Sequence, residues 1–515
     1  GQIECPPVKL KGKVYLVGAG PGDPGLITLR GAELLRRAEV VIYDMLVNPE
    51  LLRLAPLSAE LISRGSQGKS EALSQEQLNE LMLFKAREGK CVVRLKGGDP
   101  YIFGRGGEEA AELARAGIAF EVVPGVSSVV AAPNYAGIPL THRDHCSTFT
   151  VLTGHEDPEK PDSNLNFEEL ARIPGTKIVL MGLERLPELT ATLVAKGMPP
   201  STPVAMVRWG TTGRQQSIVG TLATVAGLAA AEKMTAPVIT VIGSVVNLRK
   251  ELNWFEGRPL FGRRIVVTRT REQASQLSSS LADLGAEVLE IPTIKITAPE
   301  VKDGIIDVLL ELASYNWFVF TSPNGVTAFF DLFFKRFQDL RDLGAVRLAA
   351  IGPATAARLQ ELHLQVDVMP EEALGSKIAA AINKFENVEN LKVCLLRAEV
   401  ASRELPEALE KLGAIVDDIS VYKTVPETED RNGAAANLLA EGADWLTFTS
   451  GSTVEHFHAR FDLPKLLRSF PLAKCATIGP ETSKALRVLG VEPVLEAKTH
   501  TLEGLVAALL KAEKQ

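Results

Sequence analysis

The stretch Arg94-Leu-Lys-Gly-Gly-Asp-Pro-Tyr-Ile-Phe-Gly-Arg-Gly-Gly-Glu-Glu109 decides how the first half of the chain folds. Before it runs Cys91-Val-Val93, a short apolar, β-branched segment of the kind that fills a buried strand. After it, Glu108-Glu-Ala-Ala-Glu-Leu-Ala-Arg115 reads as a helix with its acids in the first turn, where the helix dipole favours them. The stretch is therefore a long loop at the carboxyl end of a strand, where open α/β sheets keep their ligand crevices. Five glycines between Gly97 and Gly107 let the backbone approach a ligand closely. Arg94, Lys96 and Arg105 are expected to supply positive charge beside it. Glycine, acid and base are interleaved too densely for a mere chain reversal.

Upstream, Lys13-Val-Tyr-Leu-Val17 reads as the first strand, Gly18-Ala-Gly-Pro-Gly-Asp-Pro-Gly25 as a turn, and residues 28–37 as a helix. Pro21, Asp23 and Pro24 break the GxGxxG spacing of a dinucleotide fingerprint and remove donors, so the loop makes a poor pyrophosphate cradle. A less anionic ligand, such as the amino-acid end or sulfonium of S-adenosylmethionine, fits it better. Val40-Val-Ile-Tyr43 is a second strand that ends on Asp44. That position suits a turn residue or, at the same sheet edge as the glycine loops, a general base for carbon methylation. Phe120-Glu-Val-Val-Pro-Gly-Val-Ser-Ser128 adds a strand and a small-residue turn. His142, Arg143 and Asp144 form a polar cluster that reads as a solvated, ion-paired loop or as part of a site. Strands at 176–181, 203–207 and 237–243 alternate with helix in a second lobe that ends near Trp254. Taken alone, Met181 reads as core packing.

A chain of 515 residues, 46% hydrophobic and 23% charged, is ordinary globular α/β protein of about two to four domains. A net charge of −7 argues against a nucleic-acid or membrane-surface partner, so any acidic ligand must meet local basic clusters. Cys5, Cys91, Cys146, Cys394 and Cys475 are scattered without a CxxC, which suits a reducing compartment and speaks against a disulfide framework or a metal site. No apolar run approaches the roughly 18 residues of a membrane span and no secretory signal is visible, so the expected location is the cytoplasm.

Beyond a short linker at 257–262 the chain repeats itself. Gly285 and Gly413 close similar helix-turn segments 128 residues apart. Phe320-Thr-Ser and Phe448-Thr-Ser are also 128 apart, and Ile351-Gly-Pro and Ile478-Gly-Pro 127 apart. A period this long implies two similar α/β halves, not a solenoid. Thr321, Ser322, Thr449 and Ser450 each stand between a strand and a helix, as plain N-caps or as part of an anion site. Facing halves would give a cleft lined by helix N-termini, suited to a ligand with several carboxylates.

From about Lys13 to Trp254 the chain resembles the uroporphyrinogen III C-methyltransferases of the tetrapyrrole methylase family. The match lies in Val-Gly-Ala-Gly-Pro-Gly-Asp23, Tyr43-Asp44, the central loop, Pro-Gly-Val-Ser-Ser128, Leu-Thr-His-Arg-Asp144, Met181-Gly and Leu252-Asn-Trp254. The resemblance implies a two-lobed fold and S-adenosylmethionine held by Pro21, Gly97, Gly98, Asp99, Ile102, Ser127, Ser128, Met181 and Gly210. It implies Asp44 as proton acceptor, with Arg105 and Arg143 expected to clamp substrate carboxylates, and a homodimer formed through this half. Ser66 stands where the family carries a lysine proton donor, and Lys69 nearby would need a shifted loop, so that role stays unassigned. From about Arg263 the chain is similar to uroporphyrinogen III synthase through Phe-Thr-Ser-Pro-Asn-Gly-Val326, Ile-Gly-Pro-Glu-Thr-Ser483 and Val421-Tyr-Lys-Thr424. That resemblance implies two lobes, with the chain crossing near 291–298 and 420–426. It implies Tyr422 as the residue aiding loss of hydroxide from hydroxymethylbilane, with Arg269, Thr321, Ser322, Thr449, Ser450 and Thr482 around the substrate. Together the two halves, 1–256 and 263–515, imply consecutive steps towards precorrin-2, on the sirohaem and cobalamin branch. Alternatives are a methylase of a later corrinoid, or a second half that binds tetrapyrrole without catalysis, against which Arg269, Arg397 and Tyr422 speak.

Overall fold

The computed structural model describes residues 12–65, 72–154, 165–268, 271–300, 303–370 and 375–514. The first sheet contains β1 (Lys13–Gly18), β2 (Val40–Tyr43), β3 (Glu60–Ser63), β4 (Cys91–Lys96) and β5 (Ala119–Val123), in the order β3-β2-β4-β1-β5. Every pairing in it is parallel. Val14, Leu16, Val92 and Val93 are fully buried because helices cover both faces, which is why these strands read as unbroken apolar runs. Leu34 and Leu35 pack on one face, and Leu78, Met82 and Leu113 on the other. With all strands parallel, the loops after β1, β2, β4 and β5 share one edge.

The second sheet is mixed: β6 (Phe149–Thr153), β7 (Thr176–Leu180), β8 (Pro203–Arg208), β9 (Gln216–Thr221) and β10 (Val238–Ile242), ordered β6-β7-β10-β8-β9. Helix Ser128–Tyr135 ties the two sheets together. It starts from the loop after β5, and its Val129 and Ala132 pack with Leu180, Val207 and Ile239 of the second sheet.

The remaining strands are β11 (Arg264–Val267), β12 (Glu287–Glu290), β13 (Ile294–Thr297), β14 (Trp317–Phe320), β15 (Arg347–Ala350), β16 (Lys392–Ala398), β17 (Ile415–Pro426), β18 (Trp445–Phe448), β19 (Lys474–Thr477) and β20 (Leu495–Glu496). They form two sheets, β12-β11-β18-β19-β20 and β13-β17-β16-β14-β15. The repeat is legible here, since β11, β12, β18 and β19 in one sheet match β16, β17, β14 and β15 in the other. Yet neither lobe is one copy of the repeat. The first copy gives β11 and β12 to one lobe and β14 and β15 to the other, and the second copy does the reverse. The boundary between repeat copies is thus not the boundary between lobes. The two chain passages between lobes include an antiparallel ribbon, with Ile294 opposite Pro426 and Thr297 opposite Lys423.

Segment 257–262 is not a free tether. Leu260 is fully buried and its N–H donates to Leu284 O at 2.9 Å. At Gly285 (φ +97°) an added Cβ would stand 3.1 Å from the Phe261 backbone, so the joint is packed into the second half.

Candidate functional site

The loops after β1, β4 and β5 interlock through their backbones. Gly98 N donates to Gly20 O at 2.7 Å, and Gly20 N to Gly98 O at 3.2 Å. A Cβ on Gly125 would sit 2.2 Å from Gly98 O and 2.7 Å from Gly18 Cα, closer than any side chain tolerates. Gly125→Ala is therefore expected to lower the thermal midpoint, at a cost of about 1–3 kcal/mol. An unchanged melt would mean the loops do not interlock. Asp99 Oδ2 accepts from Gly125 N at 3.0 Å and Oδ1 from Tyr101 N at 2.8 Å, so this carboxylate fastens the loop to its neighbour.

Ser127 caps helix Ser128–Tyr135, and the Cβ position of Gly98 lies 3.7 Å from Ser127 Cα. Gly210 abuts Ala132 of that helix, and Gly210 O lies 3.2 Å from the Cβ position of Gly22, beside Pro21. Pro21, Gly98, Ser127, Ser128 and Gly210 are thus brought to one place from both lobes. Tyr135, which donates to Asp23 Oδ2 at 2.7 Å, braces it from below. Met181 follows β7 with φ +54° and is 54% exposed, so its reading as core packing is corrected. Ile102, between Tyr101 and Phe103, is likewise exposed.

Asp44 follows β2, and its N–H donates to Leu95 O of β4. Arg94 Nη2 donates to Asp44 Oδ1 at 2.5 Å, and Arg64 approaches the same oxygen at 3.8 Å. Arg94 and Lys96 are 0% and 1% exposed, which corrects the expectation that they line the ligand. Their alternation along β4 points both inward, onto the fully buried Glu109. Glu109 Oε1 accepts from Lys96 Nζ at 2.8 Å and from Gln75 Nε2 at 3.3 Å, and Arg94 Nε stands 3.4 Å away. Burial, and then the neighbouring Arg94 guanidinium, lower the pKa of Lys96, while Glu109 pulls the other way. Arg105 is half exposed and pairs with Glu108 at 2.6 Å. Arg143 is exposed in a loop where the His142–Asp144 contact is a loose 3.9 Å. Ser66 and Lys69 lie outside the described residues.

In the second half Ser322 caps helix Pro323–Arg336, and its Oγ lies 2.9 Å from the hydroxyl of Tyr422, which is 7% exposed. Tyr422 reaches it from β17, so two positions a hundred residues apart meet at one helix N-terminus beside Thr321. On the other lobe Ser450 caps helix Gly451–Phe461 in a capping box with Thr453, next to Thr449. Thr482 is 3% exposed, in the first turn of helix Pro480–Val488. Arg397 is also corrected: buried, it donates to Asp418 Oδ1 at 2.6 Å and to Ser402 O, and serves the lobe's own structure. Arg269 lies outside the described residues. Among the described residues no cluster of His, Cys, Asp and Glu is placed to hold a metal, and no helix is long and apolar enough to cross a membrane.

The family model for tetrapyrrole (corrin/porphyrin) methylases matches residues 13–226, and that for uroporphyrinogen-III synthase HemD matches residues 275–507. The porphyrin biosynthesis protein HemD of Ruminiclostridium josui is 39% identical over 97% of this chain and 98% of its own length. The chain belongs to this family of fused methylase–synthase proteins. Its methylase half is 52% identical to an S-adenosyl-L-methionine-dependent uroporphyrinogen III methyltransferase of Methanosarcina barkeri, over 46% of this chain and 93% of that one. It also resembles the crystal structure of uroporphyrin-III-C-methyltransferase from Thermus thermophilus, at 42% identity and a TM-score of 0.40, covering 47% of this chain and 99% of that one. In this methylase–synthase protein the residue that sequence reasoning passed over is Glu109. Its signal was a second acid beside Glu108, read only as a dipole partner, whereas the alternating Arg94 and Lys96 on a buried strand already called for a buried counter-ion.

Proposed function

We propose that the protein is bifunctional: the C-terminal half closes hydroxymethylbilane with inversion of ring D to uroporphyrinogen III, and the N-terminal half methylates that product twice to precorrin-2. The observation that carries the reading is the joining of both family matches along one chain. The interlocked loops suit S-adenosylmethionine. At Gly97 an added Cβ would meet only Leu46 Cβ, at 3.8 Å, leaving open backbone, and Ile102 and Met181 present apolar side chains without competing charge. Pro21, Gly97, Gly98, Asp99, Ile102, Ser127, Ser128, Met181 and Gly210 would hold it. When bound, it supplies an electrophilic methyl group.

The protein's own contribution is alignment and proton removal. Holding a pyrrole carbon in line with the methyl group is worth several kcal/mol, up to about 7–11 in well-oriented systems. Asp44, held by Arg94 at the sheet edge, takes the proton that the cationic macrocycle loses once a ring carbon has been methylated; the methylated carbon itself carries no hydrogen. Arg105 and Arg143, both exposed, would pair with substrate carboxylates. In the synthase half the paired hydroxyls of Tyr422 and Ser322 would assist the departure of hydroxide from the bilane, and the lobes would exclude water while the ring folds. The proposed setting is the cytoplasm, with the methylase half forming a homodimer.

One anaerobic assay with hydroxymethylbilane tests both halves. Isomer III without cofactor and a dimethylated product with it are expected. Isomer I alone would reduce the second half to a binding module, and a product of another mass would point to a later corrinoid. Tyr422→Phe is expected to slow ring closure about tenfold or more while costing only about 1 kcal/mol of stability, the worth of one hydrogen bond. An unchanged rate with a lowered melt would leave Tyr422 a purely structural residue.

A further inference from the structure

Every contact described between the two halves lands on the same synthase lobe, the one built on β11, β12 and β18–β20. Arg53 bridges Glu50 and Glu290 at the end of β12. Asn432 Nδ2 donates to Glu50 Oε1 and to Glu290 O, both at 3.1 Å, and Arg431 donates to Pro56 O at 3.0 Å. Arg214 holds Glu441 of the same lobe at 2.7 Å. Among the described residues the methylase half has no hydrogen bond or ion pair with the lobe of β14–β17. Glu290 and Asn432 adjoin the two chain passages that lead to that second lobe, and Arg460 binds the carbonyls of Pro292 and Glu427 on those passages. Among the described residues, the hydrogen bonds and ion pairs of the methylase half thus fall on one lobe and on the joint.

The gripping segment, residues 48–59, starts in the methyl-transfer site. Asn48 Nδ2 donates to Gly22 O at 2.7 Å, in the loop after β1, while its Oδ1 caps Glu50 N at 3.0 Å. Val47 N donates to Asp44 O at 3.2 Å. Burial, and then the facing Glu290 carboxylate, raise the pKa of Glu50, as expected of an acid in a closed contact. A cavity of about 330 Å³ lies along this seam, lined by Leu52, Ala55, Ile291 and Asn432 among others.

We propose that residues 48–59 couple the two sites, so that a ligand seated in the cofactor loops stiffens the joint that leads to the second synthase lobe. The coupling rests on the proposed function, and by linkage it runs both ways, with a ligand bound between the synthase lobes altering cofactor affinity. The test is hydrogen exchange on the full chain with and without saturating S-adenosylhomocysteine, with binding followed by calorimetry in the same buffer. Amides at 288–292 and 427–433 are expected to exchange at least threefold more slowly when it is bound. In the doubly substituted Arg431→Ala, Asn432→Ala protein the slowing is expected to vanish while binding persists. Binding without any change in exchange overturns the coupling. Slowing that survives the double substitution overturns this route for it. Absence of binding removes the proposed cofactor reading, and the coupling with it.

Discussion

Asp44→Ala is expected to cut methyl transfer at least about a hundredfold while ring closure proceeds at its native rate. The lower bound follows from the usual contribution of a positioned general base. Selectivity follows from place, since Asp44 sits at the edge of the first sheet and Tyr422 and Ser322 sit in the other half. Structural damage is expected to be small, because Arg94 keeps the carbonyls of Ile42 and Leu95 and the carboxylate of Glu109 after Asp44 is removed. Asp44→Asn separates the two remaining explanations. Asparagine still accepts from Arg94 but takes no proton, so it should be as inactive as alanine. Methyl incorporation and isomer III formation, measured on one preparation, decide it. Near-native methylation by the asparagine variant would make Asp44 a spacer for Arg94 and not a base.

The sheet and its ligand edge were legible because β1, β2 and the start of β4 are buried on both faces and therefore written as short apolar runs, with glycine-rich loops after β1 and β4 and Asp44 after β2. The meeting of Pro21, Gly98, Ser127 and Gly210 was not legible from local pattern. It depends on helix Ser128–Tyr135 carrying the chain from one sheet to the other, and only the family resemblance reached it in advance. The direction of Arg94 and Lys96 was misread for a plain reason: a loop-flanking cation looks the same in sequence whether it faces ligand or core. Strand alternation with Val93 and Leu95 holds the answer, but only once Glu109 is recognised as buried. The 128-residue repeat showed that two lobes exist, yet not that each copy is divided between them, since strand order in space is invisible to a linear comparison.

Glu109→Leu is expected to be the most destabilising single change in the methylase half, at about 3–5 kcal/mol, because it removes one partner of a buried charge set and leaves the others. Glu109 is fully buried and faces Lys96 Nζ at 2.8 Å and Arg94 Nε at 3.4 Å, both on side chains with essentially no exposure. Without it Arg94 and Lys96 are left with Asp44, which Arg64 already approaches at 3.8 Å. Lys96→Met in the same protein should recover much of the loss, since Arg94 and Asp44 then form a neutral pair beside an apolar pair of similar volume. The double variant is therefore expected to be more stable than the sum of the single changes predicts, as for contacting residues in one network. Because a chain of several lobes need not unfold in one step, the readout is the transition assigned to the methylase half, followed by exchange of amides in β1 and β4 during urea titration. Strict additivity would mean that Glu109 and Lys96 do not depend on each other. A Glu109→Leu protein of native stability would mean that water reaches Lys96 and Arg94, and that the buried ion set beneath Asp44 does not exist in solution.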